Sequence, residues 1–189
     1  MKKFITLFIT LCIVFSILGT FTVFAEYETG QVVTISDLAE LEKFRDEVNS
    51  GNTYEGKTVR LTADIDMSEK YGEGRESWTP IDTFAGTFDG NNHIISGFYA
   101  YTEEEYGFAS FFNMVTGTLK NLNVEGVVIG NHPYDCAVAG IARCLGANAQ
   151  MLNCLFEGTV KNPNYVAGGL VSDNGGLISG CRFKGEVVY

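Results

Sequence analysis

Leu119-Lys120-Asn121-Leu122-Asn123-Val124-Glu125-Gly126-Val127-Val128 returns as Met151-Leu152-Asn153-Cys154-Leu155-Phe156-Glu157-Gly158-Thr159-Val160. It returns again as Ile178-Ser179-Gly180-Cys181-Arg182-Phe183-Lys184-Gly185-Glu186-Val187, so the offsets are 32 and 27 residues. A shorter unit alternates with it: Ala109-Ser110-Phe111-Phe112, then Ala139-Gly140-Ile141-Ala142, then Gly168-Gly169-Leu170-Val171. The order of the two units is kept each time. A repeat this short, built of strands of a few residues, cannot bury its own apolar row, but stacking each copy on the last buries it. Strands related by a constant offset run parallel, about 4.8 Å apart. The expected fold is therefore all-β, a parallel β-helix occupying 57–189. Phe111, Phe112, Phe156 and Phe183 fall on its rows, so packing explains them. Leu122, Cys154 and Cys181 share one position and should stack as an inward ladder.

Upstream of the repeats the pattern changes. Leu38, Leu41, Phe44 and Val48 recur at helical spacing within 36–49, which predicts an amphipathic helix capping the solenoid inside an N-terminal segment, 26–56. Ser36 reads as its N-cap and Asp37 as a favourable first-turn charge. Ala39 then rules out a reciprocal capping box. Lys57 to Met67 alternates apolar and polar residues, as one half-buried strand does. Trp78-Thr79-Pro80-Ile81 follows a polar loop, and Phe84 to Phe98 reads as strand, turn, strand. Asp89-Gly90 marks the turn, with Gly90 accepting positive φ.

The start of the chain bears on location. Lys2 and Lys3 precede an uncharged run from Phe4 to Phe24, closed by Val23-Phe24-Ala25. That is the layout of a secretory signal peptide, 1–25, cleaved after Ala25. The competing reading is an uncleaved membrane anchor, since about 20 apolar residues suffice to cross a bilayer. Removing Lys2 and Lys3 from the 13 basic residues leaves 11 against 23 acidic ones, a net charge of −12. Such a surface repels phosphates, which excludes nucleic acid as a partner, and it disfavours polyanionic glycans. Contact with a membrane is expected only through an uncleaved signal segment.

Cys136, Cys144, Cys154 and Cys181 remain outside that segment. Four cysteines allow three full pairings and the sequence does not choose among them; for Cys154 and Cys181, free buried thiols are favoured, because in-register side chains point the same way. No spacing gives a CxxC, and His93 and His132 lie far apart, so no metal site is expected. Asp64 and Asp66 share a strand face and read as solvated carboxylates, with a cation-binding or catalytic pair as the sharper alternative. Asp89 reads as a turn former. Glu103-Glu104-Glu105, between Tyr101 and Tyr106, reads as a solvated loop, with weak calcium binding as the alternative. No nucleophile or phosphate-loop motif is present, so no catalytic residue and no cofactor are assigned. Tyr99, Tyr101, Tyr106, Tyr134 and Tyr165 lie in or beside loops, where exposed rings on a rigid face serve sugar or protein contact.

Leu61-Thr62-Ala63-Asp64-Ile65-Asp66, Trp78-Thr79-Pro80-Ile81, Phe88-Asp89-Gly90 and the Gly168-Gly169-Leu170-Val171 units together resemble the GLUG-motif family of bacterial secreted and surface proteins. That family includes adhesin-like proteins and non-catalytic regions of immunoglobulin A peptidases. The resemblance covers about 35–189 and implies a right-handed β-helix with an N-terminal capping helix. Ala109-Ser110 and Arg143 depart from the family's glycines. The family shares no catalytic residues, so none is carried over. The function expected is that of an exported, non-catalytic, adhesin-like module at the cell surface or outside the cell, binding glycan or a host or surface protein. The alternatives are a purely structural segment of a longer surface protein and a small polysaccharide lyase or hydrolase on the same fold. Because Glu186-Val187-Val188-Tyr189 follows a repeat strand without a capping element, a truncated chain or end-to-end self-association at the last coil is also expected.

Overall fold

The computed structural model describes residues 31–133 and 136–189; the signal peptide read over 1–25, with Tyr134, lies outside them. The chain winds as a parallel β-solenoid. Val32–Ile35, Thr58–Leu61, Thr87–Asp89, Thr118–Lys120, Gln150–Leu152 and Leu177–Ser179 stack as a six-stranded sheet. Ile65–Asp66, Ile94–Thr102, Asn123–Gly130, Leu155–Lys161 and Arg182–Val188 form a five-stranded sheet whose last four strands are long. Ile81–Phe84, Phe112–Val115, Ala142–Leu145 and Val171–Asn174 make a four-stranded sheet, and Phe108–Ala109, Ala137–Ala139 and Ala167–Gly168 a three-stranded one. All these pairings are parallel.

The register is the one the repeat requires. Val124 pairs with Phe156 and Phe156 with Phe183, while Gly126, Gly158 and Gly185 align beside them. Leu119, Met151 and Ile178 align in the six-stranded sheet. The shorter unit fits less closely. Ala139 pairs with Gly168 as expected, but Ala109 pairs with Val138, not Ala139, although Phe112 still meets Ala142. The later coil holds one more residue in the bend that contains Gly140, so the register slips by one across the corner.

Three further expectations change. The alternation over Lys57 to Met67 is real in burial, but it belongs to two strands, Thr58–Leu61 and Ile65–Asp66, in different sheets. A corner at Thr62 to Asp64 keeps the in-out phase while turning the chain. Gly90 does not carry the positive φ; Asn91 (50°) and Asn92 (62°) do. Gly90 is needed because a Cβ there would lie 2.4 Å from the Asn121 carbonyl of the next coil. The helix runs Leu38–Asn49 with Asp37, not Ser36, as N-cap, its carboxylate accepting from the Glu40 N–H at 2.9 Å. With the cap one residue later, Glu40 occupies the third helical position and accepts from the Ser36 N–H (2.7 Å) and hydroxyl (2.9 Å). A reciprocal cap therefore exists, displaced by one residue from the usual box.

Aromatic rings fill the core. Phe84, Phe88, Phe98, Phe111, Phe112 and Phe156 are at most 1 % exposed. Phe111 and Phe112 stand 5.3 Å apart edge to face, and Phe98 reaches Phe156 at 6.5 Å. The helix closes the first coil by setting Phe44 against Tyr54, Phe84 and Phe88. Asn49 locks the helix end to the four-stranded sheet, donating to the Pro80 carbonyl (3.1 Å) and accepting from the Asp82 N–H (2.8 Å).

Candidate binding surface

The loops that leave the five-stranded sheet for the three-stranded one stack on one edge of the solenoid. Among the described residues they include Glu103 to Gly107, Asn131 to Pro133 and Asn162 to Val166. Between the first of them and the Ser77–Pro80 segment lies a cleft of about 560 Å³. A second depression of about 300 Å³ shares Thr79, Pro80 and Phe108 with it, so the two are contiguous.

The floor of this cleft is rigid. Trp78 is buried, stacked on Phe111 at 5.3 Å, its indole N–H donating to the Phe111 carbonyl at 3.2 Å. The Arg45 guanidinium lies over its ring at 4.6 Å. Ser77 and Tyr101 zip the two walls together: the Tyr101 N–H donates to the serine oxygen at 2.8 Å and the serine hydroxyl to the Tyr101 carbonyl at 3.2 Å. The Tyr101 hydroxyl donates to Glu103 at 2.7 Å and accepts from Asn131 of the next coil at 3.4 Å.

The lip is apolar and exposed. Tyr106 is 63 % exposed and Phe108 42 %. Tyr106 sits at φ 59°, left-handed backbone that an aromatic residue adopts at a cost of about 1–3 kcal/mol. The turn beside it is tight: the Gly107 N–H donates to the Glu104 carbonyl at 2.9 Å, and a Cβ on Gly107 would lie 2.2 Å from the Thr102 hydroxyl. Arg143 of the next coil lies 4.5 Å over the Phe108 ring and donates to Asn113 at 2.6 Å, which donates in turn to Asp82 at 2.8 Å. Phe108 is thus fixed from behind while its other face meets solvent. Sequence reading passed over it, since an aromatic at a strand start looks like core; its place just before the Ala109 row unit was the available signal.

Of the loop tyrosines, Tyr101 and Tyr106 meet in this cleft, and Tyr165, 48 % exposed, lies two loops further along the same edge. Asn164 ties that loop to the His132 carbonyl at 3.3 Å. Tyr99 is elsewhere, half-buried in a depression beside Tyr71 and Gly126, where burial and then Glu73 push its hydroxyl pKa up.

The acids separate into different tasks. Asp64 accepts from the Ile94 N–H and from His93 Nδ1, both at 3.0 Å, and those bonds hold it below the usual carboxylate range. Asp66 is lowered by the Ser68 N–H. Both carboxylates are exposed and hold these local bonds through Oδ1. Asp89 is more than a turn former. Only 5 % exposed, it pairs with Arg60 at 3.3 Å and Lys120 at 3.8 Å from the coils on either side. It also accepts from the Asn91 N–H and the Asn121 amide at 3.0 and 3.1 Å. Arg60, Asp89 and Lys120 are register partners, a charge ladder across three coils. Among the described residues no three His, Cys, Asp or Glu side chains converge as a metal-ligand set.

No protein-family model, curated protein or solved structure matches the chain.

Proposed function

We propose that the chain is an exported, non-catalytic, adhesin-like module of the GLUG-motif type, and that it binds a neutral or amino-sugar glycan on the Tyr101–Phe108 edge. The observation that carries this reading is Tyr106: a largely exposed aromatic kept in a strained backbone conformation on the lip of a rigid cleft. Glycine would relieve that strain, so retaining tyrosine needs another reason. Tyr106 and Phe108 offer ring faces to the C–H face of a sugar, and Glu103, Glu104, Ser77 and Thr79 offer polar groups to its hydroxyls. The acidic chain disfavours sulfated and uronic sugars.

The test is a panel of neutral, amino-sugar and sulfated glycans offered to the purified protein, scoring retention and released products together. Retention on the neutral or amino-sugar members is expected. Tyr106→Gly should weaken it by about tenfold or more, while raising stability by about 1 kcal/mol. Equal retention by wild type and Tyr106→Gly would refute the assignment of this edge. Released oligosaccharide would replace the binding module with a carbohydrate-active enzyme. Retention that survives removal of the sugars would make the partner a protein.

A further inference from the structure

We propose that Cys154 and Cys181 form a thiol–disulfide exchange site whose oxidation by a small-molecule disulfide clamps the last coil onto the coil before it. Each cysteine immediately precedes a register pair, Leu155 and Arg182. That places them one strand spacing apart, about 4.8 Å, within the Cα separation of about 4.4–6.8 Å that a disulfide spans. Both thiols are free, but the two residues lie outside the strands, just past the bends at Asn153 and Gly180, so the in-register argument for non-meeting side chains does not apply. Instead the Cys181 sulfur turns toward its neighbour and accepts from the Cys154 N–H at 3.3 Å. It also lies 3.2 Å from the Met151 carbonyl of the preceding coil. The Cys154 thiol points back to the Leu152 carbonyl at 3.4 Å.

The two positions differ in the way an exchange couple requires. Cys154 is 1 % exposed, whereas Cys181 is half-buried. Hydrogen bonding from Cys154 draws the Cys181 thiol down to about 6 against the opposing effect of burial, while contact with Cys181 and burial push Cys154 up. Cys181 is therefore the attacking thiolate and Cys154 the resolving thiol. In the first step the Cys181 sulfur attacks the external disulfide RSSR, forming a mixed disulfide and releasing RS⁻, which takes the proton that Cys181 had lost. In the second, Cys154 gives up its proton, attacks the Cys181 sulfur and expels the second RS⁻, which is protonated. Two protein thiols are oxidised to one disulfide and RSSR is reduced to two RSH. Cys136 and Cys144 have no part in this: Cys136 faces Asn162 and Cys144 faces Asp173.

The experiment incubates the purified protein with oxidised glutathione, caps residual thiols and maps peptides without reduction. Cleavage after Arg143, Lys161 and Arg182 leaves Cys154 in 144–161 and Cys181 in 162–182. These two should appear as one linked species, also in a Cys144→Ser background, while Cys136 is capped. Cys154→Ser should trap glutathione on Cys181. In the native protein Cys181 should be alkylated near neutral pH about tenfold faster than Cys144. Linkage through Cys136 or Cys144, or a Cys181 no more reactive than Cys144, would overturn the proposal. The alkylation rates are read on the unsubstituted chain, so a variant that fails to fold leaves the question decidable.

Discussion

The helix covers one end of the solenoid, and the two ends are buried to very different degrees. At the first end, Phe44 from the helix lies 2 % exposed against Tyr54, Phe84 and Phe88. At the last, Phe183 stacks on Phe156 at 6.2 Å, yet Phe183, Ile178 and Leu170 are only half-buried while Phe156 and Met151 are fully buried. Sequence similarity between coils therefore does not imply equal energetic weight. What a row residue contributes depends on how many neighbours bury it, and among the described residues the coil of 177–188 pairs with that of 150–161 alone.

The largest expected effect follows directly. Phe44→Ala removes a ring enclosed on all sides and should destabilise the protein by about 3–5 kcal/mol in denaturant unfolding. Phe183→Ala should cost about 1–2 kcal/mol, because part of its surface meets water in the folded state too. Equal losses would mean that the last coil is as tightly held as the first, and the contrast between the ends would collapse.

A smaller effect tests the middle of the molecule. Asp89→Asn keeps the shape but removes the charge that Arg60 and Lys120 share. Charge-assisted hydrogen bonds to such groups contribute about 1.5–3 kcal/mol, so a loss of about 2 kcal/mol is expected in thermal or chemical unfolding. A neutral outcome would show that desolvation of the three charges cancels their attraction, as buried ion pairs sometimes do.

The repeat was legible because the offsets of 32 and 27 residues reflect a physical stacking that admits little slippage along the long strands. Slipping Val124, Phe156 and Phe183 by one residue would turn each side chain outward. At the corners that constraint lapses, which is why the break between Leu61 and Ile65 and the one-residue shift at Ala109 were hidden: a bend can absorb a residue without changing which side chains face in. The Asp89 ladder was missed for a related reason. Aspartate before glycine is ordinarily explained by a local turn, and its partners Arg60 and Lys120 lie 29 and 31 residues away. Aligning 58–61, 87–90 and 118–121 by the repeat would have put the three charges in one row. Of the binding edge, the tyrosines were visible as loop residues, but that Tyr101 and Tyr106 meet while Tyr99 does not depends on the path of a loop that carries no periodicity.

The finest contrast between the ends is electrostatic. Glu42 on the helix accepts from Lys70 at 2.8 Å and from the Tyr71 hydroxyl at 2.5 Å, and Arg45 donates to that same hydroxyl at 3.0 Å. Burial opposes the charge, yet the bonds from Lys70 and Tyr71 prevail and hold Glu42 below its ordinary value of 4.5. A carboxylate with a depressed folded pKa stabilises the protein fully above its unfolded pKa and loses that contribution as pH falls through the folded value. The deficit of Glu42→Gln relative to wild type should therefore be full near neutrality and shrink below about pH 4.5, as read from melting temperatures across an acid series. At the other end, Lys184 meets Glu157 at 2.5 Å but is 66 % exposed, and Lys184→Ala should cost under about 0.5 kcal/mol at neutral pH. A Glu42→Gln deficit that stayed constant down to pH 3 would mean that shape and hydrogen bonding, and not charge, bolt the helix to the first coil. The two ends would then differ in packing alone.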